Sequence, residues 1–219
     1  MAEKLRPANP AEEKVIARYN SVLTHILDQF LTDDWQEDEG KRYAFDGVLV
    51  NSESDRPLDV NCLLERSYDA RPDSERFRKV LAPLIEKMEQ ESDVQSKAKM
   101  GAQVQALMHL TVSVHFNRTN ASIAPAPSQN RDLGISGVDR TYKVHDDSVG
   151  HGSAYVLLFG NWQTAKWDAN NGWLHFVFAH PNGTPYIENI EIRLYGADDR
   201  IQEMLHTINW KQVNEAMTR

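Results

Sequence analysis

Apolar residues recur every three to four positions from Val15 to Phe30. Val15, Ile16, Tyr19, Val22, Leu23, Ile26, Leu27 and Phe30 form one continuous stripe, the signature of an amphipathic helix. Asn9 can cap it, Pro10 suits the first helical position, and Glu12 and Glu13 favour the positive N-terminal end. Such a stripe must pack on something, most simply a sheet. Tyr43 to Val50, rich in β-branched and aromatic residues, predicts a strand; the turn-rich NSESDRP follows, and Leu58 to Leu64 is a candidate second strand. Phe77, Val80, Leu81, Leu84, Ile85 and Met88 make a second helical stripe opened by Pro72 and Asp73. Pro83, inside it, is expected to kink it or start a new turn. Ser92 to Ala106 extends the helical region, although Gly101 interrupts its pattern.

From Leu107 the period changes to two. Met108, Leu110, Val112, Val114 and Phe116 fall on one face and His109, Thr111, Ser113 and His115 on the other, which predicts a half-buried strand. A polar stretch from Asn117 to Gly152 then interrupts the strand pattern and reads as a long loop, the kind usually tied to function or disorder. Ala154 to Trp162 and Trp173 to Ala179 predict strands joined by the turn-rich QTAKWDANNG. Asn182 and Gly183 give a hairpin signal leading into Pro185 to Leu194. A helix capped near Asp198, carrying Ile201, Met204, Leu205 and Ile208, and a short helix from Trp210 to Met217 close the chain.

Helices at both ends and in the middle, with strands linked through tight turns, predict an α+β fold. It has a mostly antiparallel sheet of about 5–6 strands, packed by an N-terminal helix, a central helix and C-terminal helices. A chain of 219 residues with no clear linker and no internal repeat is expected to form a single domain, residues 1–219, carrying the polar loop 117–152. In element order alone, without a diagnostic motif, the chain resembles cone-shaped cavity folds of the NTF2-like architecture.

The net charge of -8 and the absence of a basic stripe argue against nucleic acid as a partner. The acidic run Asp33, Asp34, Glu37, Asp38 and Glu39 reads as a solvated helix end or as a docking face for a basic partner. The single Cys62 excludes an internal disulfide and a cysteine zinc framework, and lies in the apolar stretch VNCLL as a buried thiol rather than a nucleophile. With no signal-peptide pattern and no membrane-length apolar window, a cytoplasmic setting without membrane contact is expected, and the sequons at Asn117, Asn120 and Asn182 are chance matches.

Four constellations have chemical potential. If Asn182 and Gly183 are the central turn residues, His175 pairs with Ile190 and Val177 with Glu188, so that His175 and Glu188 share a face diagonally, an arrangement suited to acid–base work. Trp173, Tyr186, Ile190 and Ile192 lie on that face. His109 with Thr111 resembles one half of the paired His-x-Thr motifs of two-histidine phosphoesterases, which need a second copy on a neighbouring strand. His151 with Ser153 and His206 with Thr207 are weak candidates for it, and His115 stands about 20 Å along the strand from His109. His145, Asp146, Asp147 and His151 supply metal-ligand types, but at a spacing that matches no metal motif, and no metal site is expected. Trp162, Trp167 and Trp173 surround a hairpin loop; alternation predicts core anchors at Trp162 and Trp173 and an exposed contact at Trp167.

No phosphate-binding glycine loop, nucleophile elbow or kinase signature occurs, so no cofactor is expected. The leading expectation is a binding or interaction protein of the accessory, inhibitory or immunity type, presenting a sheet face and the long loop to a protein or small-molecule partner. Trp167, Tyr186, Trp173, His145 and His151 are its candidate contacts. A small-molecule enzyme built on His175 and Glu188 is the alternative, and a phosphoesterase built on His109 and Thr111 the third.

Overall fold

A computed structural model of the chain describes residues 3–38, 43–45, 48–51, 57–59, 62–118, 120–123, 132–144, 153–168, 172–178 and 186–217. In chain order the elements are β1 (Glu3–Arg6), α1 (Pro10–Asp28), β2 (Trp35–Glu37), β3 (Tyr43–Phe45), β4 (Val48–Asn51), β5 (Pro57–Asp59) and β6 (Cys62–Ala70). A π-helical turn (Phe77–Leu81) leads into α2 (Ala82–Gln90), α3 (Val94–Met108), β7 (His109–Phe116), β8 (Asn120–Ile123), β9 (Arg140–Val144) and β10 (Ser153–Phe159). The chain continues through β11 (Gln163–Asp168), β12 (Trp173–Val177), β13 (Ile190–Gly196), α4 (Asp198–Thr207) and α5 (Trp210–Glu215). The fold is α+β, and the strand pairs are antiparallel, as the patterning predicts. No helix among the described residues is long and apolar enough to cross a membrane.

Local chemistry explains the helix boundaries. Asn9 accepts from the amides of Ala11 and Glu12 while the Glu12 carboxylate accepts from the Asn9 amide, a reciprocal cap on α1. Arg6 closes on the same carboxylate, and its hydrogen bond, with that of the Asn9 amide, holds the Glu12 pKa down at about 2. Pro83 lacks the N–H that would continue the helix behind it, and the preceding turn widens so that the Ala82 amide donates to the Phe77 carbonyl.

The main sheet has seven strands in the order β2, β6, β7, β13, β10, β9, with β3 also pairing along β6. One face is apolar at its centre, on β7, β13 and β10. Leu110, Val112, Val114 and Phe116 of β7, Ile190, Ile192 and Leu194 of β13, and Tyr155, Leu157 and Phe159 of β10 meet Tyr19, Leu23, Ile26 and Leu27 of α1. α4 and α5 complete the cover with Ile201, Met204, Leu205, Trp210 and Val213. Each such side chain contributes about 1.5–3 kcal/mol on full burial. Trp210 lies between Phe30 and Phe159, with ring centroids 6.1 and 6.2 Å away, and donates its indole N–H to the Leu205 carbonyl.

Several expected elements differ from those observed. Tyr43 to Val50 is two short strands in different sheets, β3 on the main sheet and β4 in a three-stranded sheet ordered β1, β4, β5. The expected loop 117–152 carries two strands, β8 and β9, and an ordered turn between them. Asp132 Oδ1 accepts from the amides of Gly134 and Thr141, and Ile135 and Val138 pack on the main core. At Gly137, with φ +85°, a side chain would meet the Lys211 amide at 2.7 Å, so only glycine allows this turn to lie against α5. These apolar anchors are single residues in polar sequence, too sparse to show a period. QTAKWDANNG, expected as a turn, contains β11, which pairs with β12 and, with β8, forms a third sheet ordered β11, β12, β8.

Asn117 ends β7 in the left-handed region, with φ +53°. Its buried amide donates to the Tyr19 hydroxyl at 3.1 Å and the Tyr186 carbonyl at 2.9 Å and accepts from the Glu188 amide at 2.8 Å. Asparagine tolerates this conformation where most residues do not, and each bond is made away from water. Asn117→Ala is expected to lower unfolding free energy by roughly 3 kcal/mol through three lost bonds and backbone strain, read from the urea midpoint at constant slope. A loss under about 1 kcal/mol would show that water replaces these bonds.

Candidate functional site

The second face of the main sheet is divided. Over β9 and β10, Tyr142, Val156 and Leu158 are covered by Ala121, Ile123, Leu174 and Phe176 of the β11–β12–β8 sheet, with Trp162 and Phe178 beside them. Over β6, β7 and β13 the face is polar. Register forms rows across β6, β7 and β13: Asp69–His109, Ser67–Thr111–Tyr195, Glu65–Ser113–Arg193 and Leu63–His115–Glu191.

These rows are internally paired. Asp69 Oδ1 lies 2.5 Å from His109 Nδ1, a contact that leaves Nε2 as the other ring nitrogen for chemistry. Thr111 and Ser67 hydroxyls are 3.4 Å apart, and Ser113 donates to Glu65 at 2.5 Å. Glu191 is fully buried and accepts from Arg193 Nε at 2.6 Å and Arg118 Nη1 at 2.9 Å. Arg193 Nη2 reaches the Ser122 carbonyl at 3.3 Å, joining β13 to β8. His115, beside this triad, has its pKa pushed down to about 4, chiefly by burial. Arg118 and Arg193 add to that shift, and Glu191 opposes it.

The expected residues fall into separate places. His109 and Thr111 share the polar face of β7, as alternation predicts. The neighbouring strands β6 and β13 contain no histidine, so a second His-x-Thr copy does not stand beside the first there. His206 lies on α4, and His145 and His151 lie outside the described residues. The expected register of His175 with Ile190 is not formed. Ile190 pairs with Phe116 and Phe159 because both edges of β13 are taken by β7 and β10, while His175 pairs with Ser122 of β8. Glu188 precedes β13, tied by its amide to Asn117, and does not join His175 across a strand pair. The Asn182–Gly183 turn lies outside the described residues.

β12 shows the largest departure in packing. Trp162 is buried as expected, but Trp173 is 40% exposed. Leu174 and Phe176 turn toward the main sheet, leaving Trp173, His175 and Val177 on the outward face, with Val177 49% exposed. The Trp173 and His175 rings are nearly parallel, 12° apart at 6.4 Å, and His175 Nδ1 is 2.9 Å from the Ser122 hydroxyl. Tyr186 is also 40% exposed while its carbonyl accepts from Tyr19 and Asn117. Trp167 lies in β11, opposite Leu174 in the backbone register.

Sequence reasoning missed Glu65, Ser67 and Asp69 as one face of β6, and Arg118 and Arg193 as the ion partners of a buried Glu191. The spacing of Glu65, Ser67 and Asp69 is a period-two signal, but Arg66 sits among the inward positions and breaks the apolar alternation. No protein-family model, curated protein or solved structure matches the chain. Glu191→Gln leaves two guanidinium groups around a neutral amide and is expected to cost roughly 3 kcal/mol in urea unfolding. An unchanged or raised stability would show that the carboxylate is dispensable to the inter-sheet contact.

Proposed function

We propose that the protein is a binding protein that engages a partner protein through the outward face of β12, in an accessory, inhibitory or immunity-type role in the cytoplasm. The observation that carries this reading is the outward exposure of Trp173 and Val177 on the central strand of a sheet whose opposite face is buried. The solvent face of an antiparallel strand is ordinarily polar, and a large exposed aromatic is the residue type that dominates interface energetics. Ala121 and Phe176 behind it are fully buried, so the face is a backed platform rather than a mobile hairpin. Small molecules favour concave sites, whereas this side chain row lies on a sheet surface, which supports a protein partner with an apolar contact patch. The single cysteine and the net charge of -8 fit a reducing compartment and a protein that resists nonspecific contact with polyanions.

Two observations weigh against the acid–base alternatives. The apolar face of the main sheet is covered by α1, α4 and α5, whose side chains pack directly on it among the described residues. His109 and His175 stand on different sheets, each with its own partner, Asp69 and Ser122. The test is capture of a stoichiometric partner from the native source, followed by titration of the purified pair with Trp173→Ala and with Val177→Ser. Trp173→Ala is expected to weaken binding by about 30-fold at an unchanged melting temperature, the scale of an interface hot spot. Equal affinity in both variants would remove β12 as the contact.

A further inference from the structure

Glu191 has no access to water, and two groups neutralise it, Arg193 on its own strand and Arg118 in the connection from β7 to β8; Arg193 also donates to the Ser122 carbonyl of β8. The same connection is fixed by Asn189, fully buried, which accepts from the Arg118 amide at 3.0 Å and donates to the Arg118 carbonyl at 2.9 Å. His115, half-buried, is the register partner of Glu191. We propose that His115, Glu191, Arg118 and Arg193 form a pH-sensitive latch that holds the β11–β12–β8 sheet against the main sheet and loosens when His115 takes up a proton.

Charge count sets the direction. With His115 neutral, one carboxylate faces two guanidinium groups. Protonation adds a third cation to a space with a single anion, and a low-dielectric setting penalises that excess. Toward His115, β13 presents Glu191 and Arg193, the β7–β8 connection presents Arg118, and β6 presents Leu63 directly opposite, with Glu65 one row away and engaged by Ser113. On β10 the residue in the same row is Leu158, and β8 has no ionisable side chain. Of these carboxylates, Glu191 is the one in the His115 row and is already shared by two guanidinium groups.

The sign follows from where the proton binds better. Displaced into water, His115 titrates at its ordinary value near 6.5, whereas in the closed latch burial presses it to about 4. The latch is therefore at full strength above about pH 6.5 and weakens as pH falls toward 4, because the open form binds the proton first. Between pH 7 and pH 5 the opening equilibrium is expected to rise roughly 20-fold. The Asp69–His109 pair, three rows of side chains away along β7, takes no part.

Hydrogen exchange on the full chain tests this without any partner, so its failure is separable from failure of the β12 binding reading. After correction for the intrinsic pH dependence of exchange, amides of β8 and β12 should lose about 20-fold protection between pH 7 and pH 5, while those of β7 and β13 hold theirs. His115→Asn should reduce the β8 and β12 change below about 3-fold, and His115→Gln gives the same reading if the first variant does not fold. The proposal is overturned if the variant keeps the full drop, or if all four strands lose protection together.

Discussion

A carboxylate with no water around it must find its countercharge inside the protein, and Glu191 does so in the middle of the main sheet. Arg193 and Arg118 supply the charge at 2.6 and 2.9 Å, and their placement fixes what lies above the sheet. Arg193 sits two residues along β13 on the same face, so it is available as soon as the strand forms. Arg118 is available only after β7 has turned at Asn117, and its position delivers the chain into β8. The path of the third sheet over the main sheet is thus bound to one ion triad around a buried carboxylate.

The two central strands, β7 and β13, face two different solvents. Their inward side chains are hydrocarbon under α1, α4 and α5, and their outward ones are histidine, threonine, serine, glutamate and arginine. Closing the fold needs contacts remote in sequence: the Tyr19 hydroxyl donates to the Tyr186 carbonyl, and Asn117 reaches back to Tyr19. Such contacts tie the N-terminal helix to the approach of β13 and so couple helix docking to completion of the sheet. The cost is a strained Asn117 backbone, held by bonds on every polar atom of its side-chain amide.

In the proposed reading, binding lies apart from the polar face of β6, β7 and β13. His109, Thr111 and Ser113 are occupied by Asp69, Ser67 and Glu65, a set that satisfies itself. The outward row of β12 is different because Trp173 and Val177 are large apolar side chains left exposed. Placing that platform on a sheet attached through an ion triad gives the binding reading a physical link to acidity: whatever loosens the triad also changes how the platform is held.

The helices α1, α4 and α5 and the two faces of β7 are legible from the chain because their information is a local repeat of 3.6 or 2 residues. Asn9, Pro10 and Glu12 specify a helix start through bonds to residues three positions away, and His109, Thr111 and Ser113 share a face by pleat alone. Strand partnership is not local. The Asn-Gly pair suggests that β12 turns back onto the strand that follows it, yet β13 takes β7 and β10 on its two edges and β12 takes β8 and β11. Hydrophobic pattern states which side of a strand is inward, but two strands of similar pattern compete for the same neighbour, and only the summed burial of all three sheets chooses between them. The same limit put Trp173 outside: alternation places it opposite Leu174, and the tertiary structure alone decides which of the two faces the main sheet covers.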